Sequence, residues 1–459
     1  MSTHLSTFPD LTDLEARVAG PVLAEGDPAL MTETAPFNVS HVLRPVAAVI
    51  ATGPADVAAT VRWAAERGLP VAVQATGHGL FSDLAGHVLV CTHRMSWVEV
   101  DPEAGTARVG AGTRWKDVIE AAAPHGLAPL NGSTSHVGVV GYTLGGGHGV
   151  LARKYGFAAD HVRWIELVTA DGRVVEVTAE TDPDLFWALR GGKGNFGTVT
   201  AMEFDLVPVA RLYGGGLFYP AEVAPELLRR WAAWAPGLPE DASTSVALIR
   251  MPPVPELPPP LQGRTVVHLR FAHQGTAEEG QILLATLTDG LGDPIIGGIG
   301  EMPYAAVDSI HMDPTDPMPA MERGLLLSEL TSDTIDAFLG QVGPDVETPL
   351  LMAELRLMGG ACARQPEVPN AVAGRTGAYT LFLAGIMAGP AADAVVPAMD
   401  ALVTALGPWS SGRSLLNFLG PAGPDRVVQL WDPEDLERLR AVKQRVDPDR
   451  VFRSGHLIA

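Results

Sequence analysis

Apolar positions recur along the chain with two periods. Short runs rich in Val, Ile and Leu predict strands at 46–51, 69–74, 88–91, 98–101 and 106–110. Between the first two, Val57, Val61 and Ala64 fall on one face of a helix predicted near 55–67, and Gly68 supplies its stop. That unit reads strand–helix–strand. A helix near 115–123 puts Trp115, Val118, Ile119 and Ala122 on one side. Runs at 164–170 and 173–178 flank Asp171-Gly172, a two-residue hairpin signal that predicts φ > 0 at both turn positions. A short helix at 184–190 ends at Gly191-Gly192.

Beyond Pro208 the texture changes. Amphipathic helices are predicted at 224–234, 277–288, 326–341, 391–406 and 433–446, with strands at 244–250, 264–271, 349–358 and 376–384. Strands alternating with long helices make a second α+β unit. Residues 251–260 hold six prolines, a rigid loop that cannot enter a sheet. Residues 1–43 read as a lead-in of turns and a short helix, and no internal repeat is visible.

Composition narrows the function classes. A chain of 459 residues is long enough for two or three domains, and 47% hydrophobic residues can fill their cores. Acidic residues outnumber basic ones 53 to 32, a net charge of −21 that repels phosphate backbones and anionic membranes. No nucleic acid or membrane partner is expected. Cys91 and Cys362 lack paired-ligand spacing, so neither a structural zinc site nor a disulfide framework is predicted. His87 and His93 sit six apart without a joined carboxylate, and no metal is expected. The first residues lack a basic stretch followed by an apolar one, so the expectation is a cytoplasmic protein, monomer or homodimer.

Three glycine-rich segments carry the candidate chemistry. Gln74-Ala75-Thr76-Gly77-His78-Gly79 ends a predicted strand, where successive backbone N–H groups can form an anion-binding nest beside an imidazole. The alternative is a turn histidine satisfied by backbone. The segment from Gly132 to Gly149 has seven glycines, a composition suited to close backbone approach to a ligand. A dinucleotide fingerprint would need a strand directly before the glycines, and none is evident before Gly145. Gly191-Gly192-Lys193-Gly194-Asn195-Phe196-Gly197 leads into a strand but lacks phosphate-loop spacing. Ser133 and Ser135 lie near His136 without a nucleophile elbow, so hydrolase chemistry is not expected. Glu354 and Arg356 share a strand face, which more often means a surface or internal ion pair than a catalytic one.

Taken together, these loops resemble the berberine-bridge-enzyme-like FAD-linked oxidases, within the vanillyl-alcohol-oxidase or PCMH-type superfamily. The resemblance runs from Arg44-Pro45 to the C-terminus. It rests on Thr76-Gly77-His78-Gly79, Val137-Gly138 through Gly149, Arg153-Lys154-Tyr155-Gly156, Gly191-Gly192 with Gly194–Gly197, Gly359-Gly360-Ala361, Asn417, and Val446-Asp447-Pro448 with Phe452. It implies an α+β, two-domain PCMH-type FAD-binding fold with a substrate domain of antiparallel sheet backed by helices. The implied domains are 1–208 for FAD (core about 40–208), 209–408 for substrate, and 409–459 completing the FAD domain.

By that pattern His78 bonds covalently to the flavin. The other implied FAD-binding residues are Ala75, Thr76, Gly77, Gly79, Leu80, Ser133, Thr134, Val137, Gly138, Gly141, Tyr142, Gly145, Gly146, Gly147, Gly197, Val199 and Asn417. Thr134 stands where many relatives carry a second, cysteine tether, so a single covalent link is expected. Leu415 replaces the tyrosine many members use as base. Tyr142, Asn417, Glu354 and Tyr379 are therefore the catalytic candidates, with Arg356 a further substrate contact. Glu354 would act as base only if desolvation raised its pKa toward neutrality.

Val137 resembles an oxygen-gate residue, which implies an oxidase releasing H2O2. The expected reaction takes hydride from a C–H of a small organic substrate (alcohol, sugar or secondary metabolite), with O2 as acceptor. A catalytically quiet or dehydrogenase-type flavoprotein and a nicotinamide-linked reductase are the alternatives.

Overall fold

The computed structural model describes residues 10–79 and 81–458. Among them the strands form three sheets. In the first, Ala47–Ile50, Val88–Cys91 and Val71–Gln74 run parallel, and Val22–Leu23 pairs antiparallel at the edge. Parallel strands covered on both faces need continuous apolar runs, and Ala47–Ile50 and Val88–Cys91 are buried at every position. The helix Pro54–Ala65 makes the crossover, with Val57, Val61 and Ala64 buried. The chain leaves it through Gly68, whose φ of 65° is the left-handed conformation predicted for a helix stop.

The second sheet is antiparallel, in the order Val98–Asp101, Thr106–Gly110, Thr198–Asp205, Val162–Val168, Val174–Val177. The turn between its last two strands differs from expectation. Gly172 has φ of 76° but Asp171 is not in the left-handed region. Thr169 N donates to Arg173 O, which leaves a three-residue loop with one left-handed glycine at its end.

The third sheet is antiparallel and runs Ile296–Pro303, Arg211–Pro220, Thr265–His273, Ala242–Arg250, Leu350–Leu357, Tyr379–Ile386, Ala320–Leu327. Its two faces have different chemistry. Val246, Leu248, Leu269, Leu355, Leu381 and Leu383 point to one side, packed on Leu227, Trp231, Phe338 and Met399 of the helices Ala224–Trp234, Ser332–Val342 and Ala392–Ala405. Residues one position away (Ser245, His268, Arg270, Glu354, Arg356, Phe382) therefore face the other way.

Three of these strands are missing from the sequence reading. Arg211–Pro220 and Ile296–Pro303 pair through glycines, Gly214 opposite Gly300 and Gly216 opposite Gly298. Such strands lack the β-branched alternation that marks a half-buried strand. The third, Ala320–Leu327, takes the start of the helix predicted at 326–341. The helix itself is Ser332–Val342, begun where the Thr331 hydroxyl accepts from Thr334 N at 3.2 Å.

The C-terminal stretch returns to the first sheet. Lys443, on the helix Pro433–Val446, donates through Nζ to Asp447 Oδ2, Asn195 O and Phe452 O at 2.6, 2.6 and 2.7 Å. Val71 N donates to Val451 O at 2.8 Å. Arg153 ties the units together, its Nε donating to Ala242 O at 2.8 Å. Among the described residues no helix is long and apolar enough to cross a membrane.

Candidate active site

A cavity of about 640 Å³ lies between the glycine-rich loops of the first two sheets and the polar face of the third. Its first wall is the loop after the strand Val71–Gln74. Gly77 has φ of 72°, and a Cβ there would come within 2.5 Å of Pro36 Cα, so the loop is pressed on the lead-in. His78 stacks on Phe37 with ring centroids 4.0 Å apart, and its Nδ1 lies 2.9 Å from the Thr76 hydroxyl. Burial, reinforced by the positive charge of Arg114, lowers the His78 pKa to about 4. The ring is neutral at pH 7, with Nε2 buried and unpartnered by protein.

The second wall is the segment leading into the helix Val139–Leu144. Gly138 abuts Ala75 and Thr76 across the loop, and Gly141 has no neighbour within 4 Å of where a Cβ would stand. Helix, not strand, precedes Gly145–Gly147, which excludes the dinucleotide fingerprint. Tyr142 packs edge-on against Trp115 at 5.6 Å. Its hydroxyl is buried without a partner, and burial pushes its pKa up. Asn417 reaches in from the C-terminal segment and donates to Tyr142 O.

Of the predicted FAD-binding residues, Ala75, Thr76, Gly77, His78, Gly79, Ser133, Thr134, Val137, Gly138, Gly141, Tyr142, Gly145, Gly147 and Asn417 line this cavity. Three stand back from it. Gly146 is backed by Val372, Gly197 lies on Leu167 and Val168, and Val199 is buried in the core of the second sheet. Leu80 lies outside the described residues.

Two catalytic candidates are corrected. Tyr379 belongs to the helix-facing side of the third sheet, 5.6 Å from Trp231, and does not reach the cavity. Glu354 is fully buried, accepting from Ser245 Oγ at 2.7 Å and pairing with Arg270 and Arg356. Burial pushes its pKa up, but the two guanidiniums pull it well below the usual carboxylate range. A carboxylate so held is an ion-pair partner and not a base. Leu415 is 4% exposed in an apolar cluster and offers no proton acceptor.

The cavity also brings in groups the sequence did not single out. Lys193 and Glu322 both line it; burial lowers the lysine to about 8 and raises the glutamate to about 7. Lys193 stood in a recognised glycine loop and has φ of 58°, but Glu322 sits in an unpredicted strand. His148 is buried with neither ring nitrogen bonded. The proline-rich loop contributes Met251, Val254 and Leu257, and the third sheet Phe218, Ile249 and Phe382, so the substrate-side lining is mainly apolar.

Comparison with known proteins fits this geometry. An FAD binding domain model matches residues 45–178, and a model described as berberine and berberine-like matches residues 414–458. The chain is 27% identical over 442 residues to (R)-6-hydroxynicotine oxidase of Paenarthrobacter nicotinovorans, covering 91% of this chain and 92% of that one. The crystal structure of 6-hydroxy-D-nicotine oxidase from Arthrobacter nicotinovorans aligns at a TM-score of 0.83 and 25% identity, over 98% of this chain and 100% of the other. Physcomitrella patens BBE-like 1 aligns at 0.84 and 21% identity, over 98% and 100%, which concerns the fold alone. Fold and loops thus define an FAD-dependent oxidoreductase with an α+β, two-unit architecture. The chain carries an FAD binding domain and a berberine-like C-terminal segment, and along nearly its whole length it is similar to the FAD-linked oxidases.

The residues present fit the cofactor. The volume falls in the range of about 300–1,000 Å³ usual for cofactor and ligand sites. Gly141 leaves open space where a Cβ would stand on the cavity wall, and the buried His78 Nε2 and Tyr142 hydroxyl have no protein partner.

Proposed function

We propose that this protein is an oxidase with FAD tethered by one covalent bond to His78, oxidising a small, largely apolar organic substrate at the expense of O2 and releasing H2O2. The observation that carries this reading is the neutral imidazole of His78, its Nε2 buried and unpartnered by protein, on a glycine-lined loop at the cavity wall. Bound FAD would supply the hydride acceptor.

The chain's own residues then divide the remaining work. The 74–79 loop and the glycines at 138, 141 and 145 admit the cofactor's planar and phosphate parts against bare backbone. The Thr76 hydroxyl orients the His78 ring through Nδ1. The Tyr142 hydroxyl and Asn417 supply polar contacts on the cavity side. Val137, half-buried at the wall, leaves room for O2. Glu354 is held ionised, Tyr142 is held protonated, and burial lowers His148 to about 3. None of the three is a base poised near neutrality, which leaves Glu322 and Lys193, at about 7 and about 8, as the cavity-lining groups able to take a substrate proton.

Screening purified protein for peroxide release against alcohols, amines, sugars and phenolic metabolites tests the reading. Steady peroxide formation with an apolar member is expected. Flavin reduction without peroxide would replace the oxidase by a dehydrogenase.

A further inference from the structure

The polar face of the third sheet concentrates charge beside the cavity. Ser245 lies directly opposite Arg270 on one neighbouring strand and Arg356 on the other. One row along, Ala247 lies between His268 and Glu354. Two buried guanidiniums thus share one fully buried carboxylate. The imidazoles of His148, His268 and His311 add no charge, because burial holds each of them neutral. The network carries an excess positive charge in a low-dielectric setting, which is costly unless a counter-charge completes it. Asp313, partly exposed on the cavity wall, lies near enough for its charge to raise the Arg356 pKa but is bonded to neither arginine among the described residues, so a substrate carboxylate would compete with it.

The two arginines are not equally occupied. Arg270 spends Nε on His268 at 3.0 Å and Nη1 on Glu354. Arg356 forms an ion pair with Glu354, its Nη2 2.7 Å from Oε2, and its buried Nε has no hydrogen-bond partner. Phe418 lies under its guanidinium at 5.1 Å and holds the plane in place. His311 Nδ1 and both nitrogens of His148 are also buried and unpartnered. Arg356, His311 and His148 line both the main cavity and an adjoining hollow of about 30 Å³. A hollow of that size holds about one water-sized group.

We propose that Arg356, flanked by His311 and His148, is the specificity residue for a carboxylate on the substrate, so that the preferred substrates are apolar molecules bearing one carboxylate. This rests on the reading of the cavity as the substrate site. A planar guanidinium edge matches a carboxylate in shape and charge, and a neutral amide of the same shape leaves the excess charge uncompensated. The apolar wall of Phe218, Ile249, Met352 and Phe382 takes the rest of the molecule.

Calorimetric titration of the purified full-length protein with benzoate and with benzamide tests this without knowledge of the natural substrate. Benzoate is expected to bind about tenfold more tightly or better, the scale of one charge-assisted hydrogen bond. Arg356→Gln should bring the ratio near one. Asp313→Asn, which leaves the ion-pair network intact, should tighten benzoate and leave benzamide unchanged, and it decides the matter even where the arginine variant fails to fold. Equal affinity for both probes in the wild type, or benzoate unaffected by either substitution, overturns the proposal. A yellow, peroxide-forming protein with equal affinities would overturn the carboxylate anchor alone; a protein without flavin would overturn the oxidase reading, and the benzoate ratio would still judge the anchor.

Discussion

Asn417 Nδ2 donates to the carbonyl of Tyr142 at 2.8 Å, across 275 residues of sequence. The contact clasps the C-terminal segment onto the glycine-rich helix. Its closeness is what Gly145 permits, since a Cβ at that position would stand 2.0 Å from Asn417 Oδ1. Asn417→Leu removes this donor and leaves the Tyr142 carbonyl with the Gly145 N–H at 3.3 Å, a loss of about 0.5–1.5 kcal/mol. Lower melting temperature together with a lower ratio of flavin to protein absorbance is expected. A variant with unchanged flavin content would separate this clasp from cofactor binding.

The Glu354 network makes a second prediction. Removing the carboxylate leaves two guanidiniums buried and unpaired, so Glu354→Ala should lose about 3–5 kcal/mol of stability in chemical denaturation. Were Glu354 a base on an otherwise relaxed site, stability would hold and turnover alone would fall.

Glu322 and Lys193 predict a pH dependence for the flavin-free protein. Glu322 has a folded pKa of about 7 against an ordinary value of 4.5. Between those values the folded chain holds more protons than the unfolded one, so this contribution to stability is present below 4.5 and lost as pH rises through 7. Lys193, lowered to about 8 from 10.5, works in the opposite window: stability rises with pH between 8 and 10.5. Melting temperatures of wild type should fall relative to Glu322→Gln from pH 4.5 to 7, then run parallel. A constant offset across that range would contradict the desolvation of the carboxyl.

Much of this arrangement was legible in the sequence because it depends on local period. The parallel strands, the crossover helix and the helices at 224–234, 277–288 and 433–446 follow from apolar spacing that tertiary packing reinforces. The glycine loops were visible as composition, and their joint order carried the family. What escaped depends on pairing across the sheet. Gly214–Gly216 reads as a loop until Gly298 and Gly300 lie opposite it. Tyr379 and Arg356 sit on opposite faces of adjoining strands, and only the register separates core from cavity. The sequence offered Glu354 one partner, Arg356, because its second guanidinium, Arg270, is 84 residues away.

Val137 gives a kinetic prediction. Its half-buried side chain stands at the cavity wall beside Gly138. Val137→Leu should slow reoxidation of the flavin by O2 in stopped-flow mixing while leaving anaerobic reduction by substrate nearly unchanged. Equal slowing of both half-reactions would mark Val137 as a substrate contact instead.

The imidazole at position 78 bears most of the account, and one measurement reaches it directly. Peptide mass spectrometry of the native yellow protein should find the peptide containing His78 carrying the mass of covalently attached flavin, with that modification absent from His78→Ala. An unmodified His78 peptide from protein that is yellow before denaturation, with all flavin released by acid, would contradict the tether.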